Sequence, residues 1–200
     1  MKALVVGGGG REHAIVRTLA RSAHAPELYC APGNAGIAAD ATCLPDIAAD
    51  DVDAIVAACE ELAIDLVAIG PEAALVAGAV DALERHGIPA FGPTAAAADL
   101  EGSKAFAKEL MAEAGVPTAG HTLLRSREEA IAHLGSVPYP TVLKADGLAA
   151  GKGVILPADE SEARAAVDVF FTERRFGETV VVQEEFLIGE ELSLLALCDG

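Results

Sequence analysis

Aromatic residues make up only 4% of this 200-residue sequence, and tryptophan is absent. With so few large rings, Ala, Val, Leu and Ile must fill the interior, which suits layers of helix and sheet packed through small aliphatic side chains. Basic residues are scarce too, with 14 Lys and Arg against 31 Asp and Glu, a formal charge of −17. Such a surface repels phosphate backbones, so a nucleic-acid partner is not expected. Any anionic ligand must be held locally, by glycine-rich backbone and a few chosen Lys and Arg. There are four cysteines, Cys30, Cys43, Cys59 and Cys198. None forms a C-x-x-C pair, so zinc is not expected, and Cys30 and Cys59 sit in apolar runs as small core residues. His13, His24, His86, His121 and His133 show neither H-x-x-x-H nor H-E-x-x-H spacing, and no serine lies in a nucleophile elbow. Apolar runs are too short or too interrupted to span a bilayer, so no membrane partner is expected and a reducing, cytoplasmic setting is.

What the sequence does have is ample apolar material, 52% of residues. That argues against disorder, and the length suffices for one or two domains with cores of their own. Residues 2–7 form an apolar run entering a glycine cluster, which reads as a buried strand and a tight turn. A helix follows over 11–22, with Ile15 and Leu19 four apart, then a strand over 28–30 ended by Pro32-Gly33-Asn34. Asp50 is placed to cap a helix carrying Val52, Ile55, Val56, Cys59 and Leu62 on one stripe. A strand over 66–69 ends at Gly70-Pro71-Glu72, a helix covers 73–85, and a strand over 88–91 leads into Gly92-Pro93-Thr94. This alternation predicts a parallel sheet with helices on both faces, with ligands bound at strand-end loops 7–10, 70–72 and 92–94.

A helix is expected over 103–114, closed by Gly115 and Pro117. Beyond residue 121 strands outnumber helices. Ser126 and Glu129 form a capping box, strands are expected over 141–145, 153–156, 179–183 and 192–197, and a helix over 161–171. A second, α+β unit follows, with the boundary near 116–121. Asp199-Gly200 usually turns one strand into the next, so a longer parent chain is expected.

Four motifs carry chemistry. Gly7-Gly8-Gly9-Gly10-Arg11 sets a glycine turn between strand and helix, where an anion can meet the helix N-terminus. The dinucleotide pattern G-x-G-x-x-G fails, because Glu12 or His13 takes the last glycine position, so NAD is disfavoured. A plain tight turn is the competing reading. The segment Lys144-Ala-Asp-Gly-Leu-Ala-Ala-Gly-Lys152-Gly153 looks like a P-loop but has its glycines one residue too close and lacks the terminal Ser or Thr. Flanked by strands, it reads instead as a flap whose N–H groups fold over a triphosphate, with Lys144 against the nucleotide; a surface hairpin is the alternative. Glu184-Glu185-Phe186-Leu187-Ile188-Gly189-Glu190-Glu191 runs an apolar strand into carboxylates, either a solvated strand end or a hinge for adenine and ribose. Lys104, after Gly102-Ser103 at a helix start, can reach a phosphate or be merely solvated.

Together, Arg11-Glu12-His13, Pro32-Gly-Asn34-Ala-Gly36, Gly70-Pro71-Glu72, Phe91-Gly-Pro93-Thr94, Leu100-Glu-Gly-Ser-Lys104-Ala-Phe106, the run from Lys144 to Val154 and Glu184-Glu-Phe-Leu187 resemble the phosphoribosylamine–glycine ligase family, over nearly the whole chain and in that family's order. Two departures, Gly8 where Asn or Ser is common and Ala74 where Pro is common, remove no functional side chain.

The resemblance implies an α/β chain. A Rossmann-like (pre-ATP-grasp) domain would span 1–120, an ATP-grasp lid 121–190, and the truncated start of the main ATP-grasp subdomain 191–200. It implies ligation of glycine to 5-phosphoribosylamine through glycyl phosphate, with ATP and Mg²⁺ or Mn²⁺, in purine synthesis. By the same resemblance Lys144 and Lys152 would be catalytic, and Lys104, Lys144, Gly151, Lys152, Gly153, Glu184, Glu185, Leu187 and Glu191 would bind ATP. Gly9, Gly10, Arg11, Asn34 and Glu72 would bind the phosphoribosylamine, and the metal ligands would lie beyond Gly200. A monomer is expected. The competing classes are another ATP-grasp ligase or carboxylase, which would not need the Arg11-Glu12-His13 and Pro32-Gly-Asn34 elements, and a nucleotide-binding module without catalysis.

Overall fold

The computed structural model describes residues 1–24, 27–148 and 152–196. The chain divides into two compact units, Met1–Ser103 and Lys104–Gly200. Because the helix over 104–113 belongs to the second unit, this division falls ahead of the 116–121 expected from strand content.

In the first unit, β1 (Lys2–Gly7), β2 (Glu27–Pro32), β3 (Thr42–Cys43), β4 (Leu66–Ile69) and β5 (Ala90–Phe91) form one sheet in the order β3-β2-β1-β4-β5. Every pairing is parallel. The pleat sends alternate side chains of β1 to opposite faces. Leu4 and Val6 join one core with Ile55, Val56, Val80 and Leu83, while Ala3 and Val5 join another with Val16 and Ile37. Both faces are therefore covered, which is why the strands read as unbroken apolar runs. The first face is covered by α2 (Val52–Leu62) and α4 (Ala79–Arg85), the second by α1 (Gly10–Ala20). Cys30 and Cys59 are core residues as expected, and burial pushes their thiols up to about 12 and about 11.

Three local readings change. The cap of α2 is Asp51, whose side chain accepts the Ala54 N–H at 3.1 Å, not Asp50. The single helix over 73–85 is two, α3 (Glu72–Val76) and α4, broken at Gly78 with φ +85°. A helix ahead of Ser103, α5 (Ala95–Gly102), was missed because its alanine-rich sequence shows no apolar stripe.

The second unit opens with α6 (Lys104–Glu113). Strands β6 (His121–Leu124), β7 (Thr141–Ala145), β8 (Val154–Ile155) and β9 (Val181–Glu185) then form an antiparallel sheet in the order β6-β9-β7-β8. One face packs on α7 (Arg127–Leu134), α8 (Glu160–Val167) and a π-helical turn at Asp168–Thr172, through Leu124, Leu134, Leu143, Val181 and Phe170. Ser126 accepts the Glu129 N–H at 3.1 Å as the capping box requires, but the Glu129 side chain takes the Arg125 N–H instead of that of Ser126. Residues 192–196 form no strand, and 197 lies outside the described residues. In this segment Leu192, Leu194 and Leu195 are more than nine-tenths exposed.

Candidate functional sites

In the first unit the helix connections of β1 and β4 leave toward opposite faces, so the ends of these neighbouring strands open a crevice at the point where strand order reverses. Gly7 to Gly10 lead out of β1 and Gly70 to Glu72 out of its neighbour β4. Between them sits Glu12, only 4% exposed. Its Oε2 accepts the Gly9 N–H at 2.6 Å and its Oε1 the Arg11 Nε–H at 2.9 Å. Space for it exists because its neighbours lack side chains. A Cβ on Gly7 would lie 2.6 Å from Glu12 Cγ, and one on Gly70 would overlap its carboxylate. Glu12 is three residues into the helix cap, the place from which a Glu reaches back to a free N–H.

Arg11 spans the crevice. Its Nη1 donates to Glu72 Oε1 at 2.9 Å, holding the Glu72 carboxyl below the usual carboxylate range, while Glu72 and Glu12 together raise the guanidinium further. Asn34 donates from Nδ2 to Gly8 O at 2.8 Å and accepts the Gly36 and Ile37 N–H groups, tying the end of β2 to the glycine turn. The structure thus gathers Gly9, Gly10, Arg11, Asn34 and Glu72 around one set of strand ends. It adds Glu12, which lay inside the specific motif but had no assigned role. The anion site expected at the mouth of α1 is partly filled from within, since Glu12 already takes the Gly9 N–H.

The second unit builds its site on the sheet face opposite the helices. Lys144 pairs in register with Val182, so Glu184, two residues on, lies on the same face one step along. Lys144 Nζ donates to Glu184 Oε2 at 2.8 Å. Helix α6 supplies two lysines one turn apart, Lys104 and Lys108, on one face. Lys104 Nζ reaches Gly147 O at 2.8 Å, in the turn that leaves β7. Lys108 is 7% exposed and donates to Thr118 Oγ1 at 2.7 Å and Ala119 O at 3.2 Å, with Glu184 Oε1 at 3.3 Å. Asp146 Oδ1 accepts the Ala105 N–H at 3.1 Å, stapling the start of α6 to the same turn. Two lysines thus share the single carboxylate of Glu184, with Lys104 at the turn beyond, a local arrangement that can meet an anionic ligand within an acidic chain.

The strands expected on either side of the glycine flap are there, as β7 and β8. Lys144 leads out of β7, and Ala145 N–H donates to Gly153 O at 2.8 Å beside β8. Gly151, expected to bind ATP, lies outside the described residues, as do Ala149 and Ala150. Lys152 does not join Lys144; it lines a cleft of about 480 Å³ with Ala145, Asp146, Leu148, Arg175 and Phe176. Glu184 meets the lysines through its side chain, while its carbonyl accepts the Thr141 hydroxyl at 2.9 Å. Thr141 in turn accepts from Gln183 Nε2 at 2.8 Å, and Gln183 Oε1 lies 2.9 Å from His133 Nε2, a polar chain that fixes β9 from the helix side. The Glu185 side chain accepts the Gly120 N–H at 2.9 Å. Leu187 is exposed and, like Glu191, lies in a segment without regular structure. Among the described residues no group of three or more His, Cys, Asp or Glu is placed to hold a metal ion, and no helix is long and apolar enough to cross a membrane.

Comparison with known proteins agrees with both units. The model of the phosphoribosylglycinamide synthetase N domain matches residues 1–101, and that of the phosphoribosylglycinamide synthetase ATP-grasp (A) domain matches residues 102–200. The phosphoribosylamine–glycine ligase of Brucella melitensis is 50% identical over 100% of this chain and 47% of its own length. That of Caldanaerobacter subterraneus subsp. tengcongensis is 45% identical over 100% of this chain and 48% of its own. The chain thus spans about half the length of the curated relatives it matches. Among solved structures, the Thermotoga maritima phosphoribosylamine–glycine ligase superposes with a TM-score of 0.77 at 32% identity, covering 95% of this chain and 45% of that one. The biotin carboxylase domain of Hydrogenobacter thermophilus 2-oxoglutarate carboxylase, a complex with MgADP and bicarbonate, gives 0.76 at 22% identity over 93% and 44%, which shows a shared fold.

Proposed function

The chain belongs to the phosphoribosylglycinamide synthetase family, and from that membership we propose that the full-length protein ligates glycine to 5-phosphoribosylamine with ATP, giving glycinamide ribonucleotide, ADP and phosphate in the cytoplasm. The nucleotide half of this reading is supported by Lys108 and Lys144, both paired to the buried Glu184, and by Lys104 at the turn that leaves β7. Lys144 and Lys104 meet the phosphates, and the hairpin through Lys152 and Gly153 closes over them. Glu184, Glu185, Leu187 and Glu191 border adenine and ribose. The other half of the reading places the phosphoribosylamine in the crevice of Gly9, Gly10, Arg11, Asn34 and Glu72.

The chemistry suits such a set of side chains. A glycine carboxylate oxygen bonds to the γ-phosphorus as the bond to ADP breaks. The phosphoribosylamine nitrogen then attacks the acyl carbon and phosphate leaves. Neither step needs a protein nucleophile; both need substrates held in line and charge neutralised, which lysines and backbone N–H groups provide. A divalent cation, Mg²⁺ or Mn²⁺, would supply further neutralisation of the phosphate charge when bound, and its ligands are assigned beyond the described residues, among which no group of three or more His, Cys, Asp or Glu is placed to hold it.

The direct test is ADP release by the full-length protein, with the phosphoribosylamine formed in place from ribose 5-phosphate and ammonia. Release that requires both glycine and the phosphoribosylamine is the expected result. Release that requires a different acid or amine keeps the fold reading and removes the substrate assignment.

A further inference from the structure

Glu184 is a buried carboxylate shared between two lysines that differ in environment. Lys144 keeps 28% of its side-chain surface exposed, whereas Lys108 keeps 9%. Lys108 also has a closed set of partners: its ammonium has three protons and three oxygens around it, from Thr118, Ala119 and Glu184. Among the described residues Lys144 has one side-chain partner, and that partner is Glu184. A lysine drawn to an incoming triphosphate must loosen its hold on Glu184. Breaking a buried pair by removing one partner is normally costly, because a carboxylate is stranded in low dielectric. Here it would not be stranded, because Lys108 stays.

We propose that Lys108 is the positioning residue of the nucleotide site: it keeps Glu184 compensated so that Lys144 is free to turn to the phosphates. Lys108 touches neither nucleotide nor reacting atoms; it sets how tightly Glu184 competes for Lys144. Without Lys108, Lys144 becomes the sole counter-charge of a buried carboxylate, and ATP must pull it away. Lys108→Arg retains the charge, though not the fit around Thr118 and Ala119, and should fall between the parent and Lys108→Met.

This claim rests on the nucleotide reading above, and the test separates the two. ATP affinity and steady-state constants are measured on the full-length protein and on Lys108→Met, Glu184→Gln and the double variant. Lys108→Met should raise the ATP KM about fivefold, with the glycine and phosphoribosylamine KM values within about twofold of the parent. Once Glu184 is neutral, Lys108 has nothing to compensate. Adding Lys108→Met to Glu184→Gln should therefore change the ATP KM less than about twofold, a non-additivity only a shared interaction produces. If Lys108→Met alone does not fold, Lys108→Arg takes its place in the cycle, with a smaller rise in ATP KM that should vanish on top of Glu184→Gln. A further fivefold loss in the double variant, or an unchanged ATP KM in a folded Lys108→Met, overturns the role of Lys108. A parent protein that binds no ATP overturns the nucleotide reading itself.

Discussion

Replacing Lys144 with alanine in the full-length protein is expected to lower kcat/KM for ATP at least about tenfold, about 1.4 kcal/mol of transition-state stabilisation, while leaving the fold intact. Both halves of the expectation follow from the geometry. Lys144 is the part-exposed cation of the cluster, on the strand that leads into the glycine hairpin. Its removal leaves Glu184 paired with Lys108, so no buried charge is orphaned and the melting temperature should move little. Steady-state kinetics with ATP varied, alongside a thermal melt, separate the two effects. Unchanged kinetics would take Lys144 out of the site, whereas a collapse in stability would make its role structural.

Glu12→Ala should do the reverse, acting first on the fold. Its carboxylate joins the Gly9 N–H and Arg11 within a space bounded by Gly7, Gly9 and Gly70. Alanine there strands the Gly9 N–H, loosens Arg11 to a single partner in Glu72 and leaves a void at the strand ends. Losing hydrogen bonds to a charged group at a buried site costs about 3 kcal/mol. Hydrogen exchange over β1 in the full-length protein should consequently speed up by about a hundredfold, with the second unit unaffected. Glu12→Gln, which keeps the shape and one acceptor, should lose less than half as much. Exchange over β1 that matches the parent would show that the glycine turn holds its form without Glu12.

Much of the fold could be read from the residues because local and global signals agree. β1, β4 and β7 are short apolar runs ended by glycine or polar turns, and they appear where periodicity places them. Elements were missed where local signals are weak. The two-residue β3 exists through pairing with β2, which no sequence window reveals. Helix α5 is too uniform in alanine to show a face, and the break between α3 and α4 rests on a single left-handed glycine. The expected strand over 192–197 is a nearly continuous apolar run but forms no ladder over 192–196.

The site was legible as residue types more than as partnerships. Lys104, Lys144 and Glu184 were marked by glycine context and strand position, and the structure joins the last two directly. Lys108 escaped notice although it stands one helical turn from Lys104, a spacing that puts both on the same face. Glu12 is visible in the sequence only as part of a motif, without a role, because a Glu after a glycine turn reads as a surface residue until the glycines around it are seen to make room.

The central claim is that glycine is activated by transfer of a phosphoryl group to its own carboxylate. Glycine labelled with ¹⁸O in the carboxylate, supplied with ATP and the phosphoribosylamine to the full-length protein, tests it most directly. One labelled oxygen must leave with phosphate when the acyl carbon is attacked, so ³¹P NMR should show one ¹⁸O in each phosphate released. Phosphate carrying no label while glycinamide ribonucleotide accumulates would contradict the account.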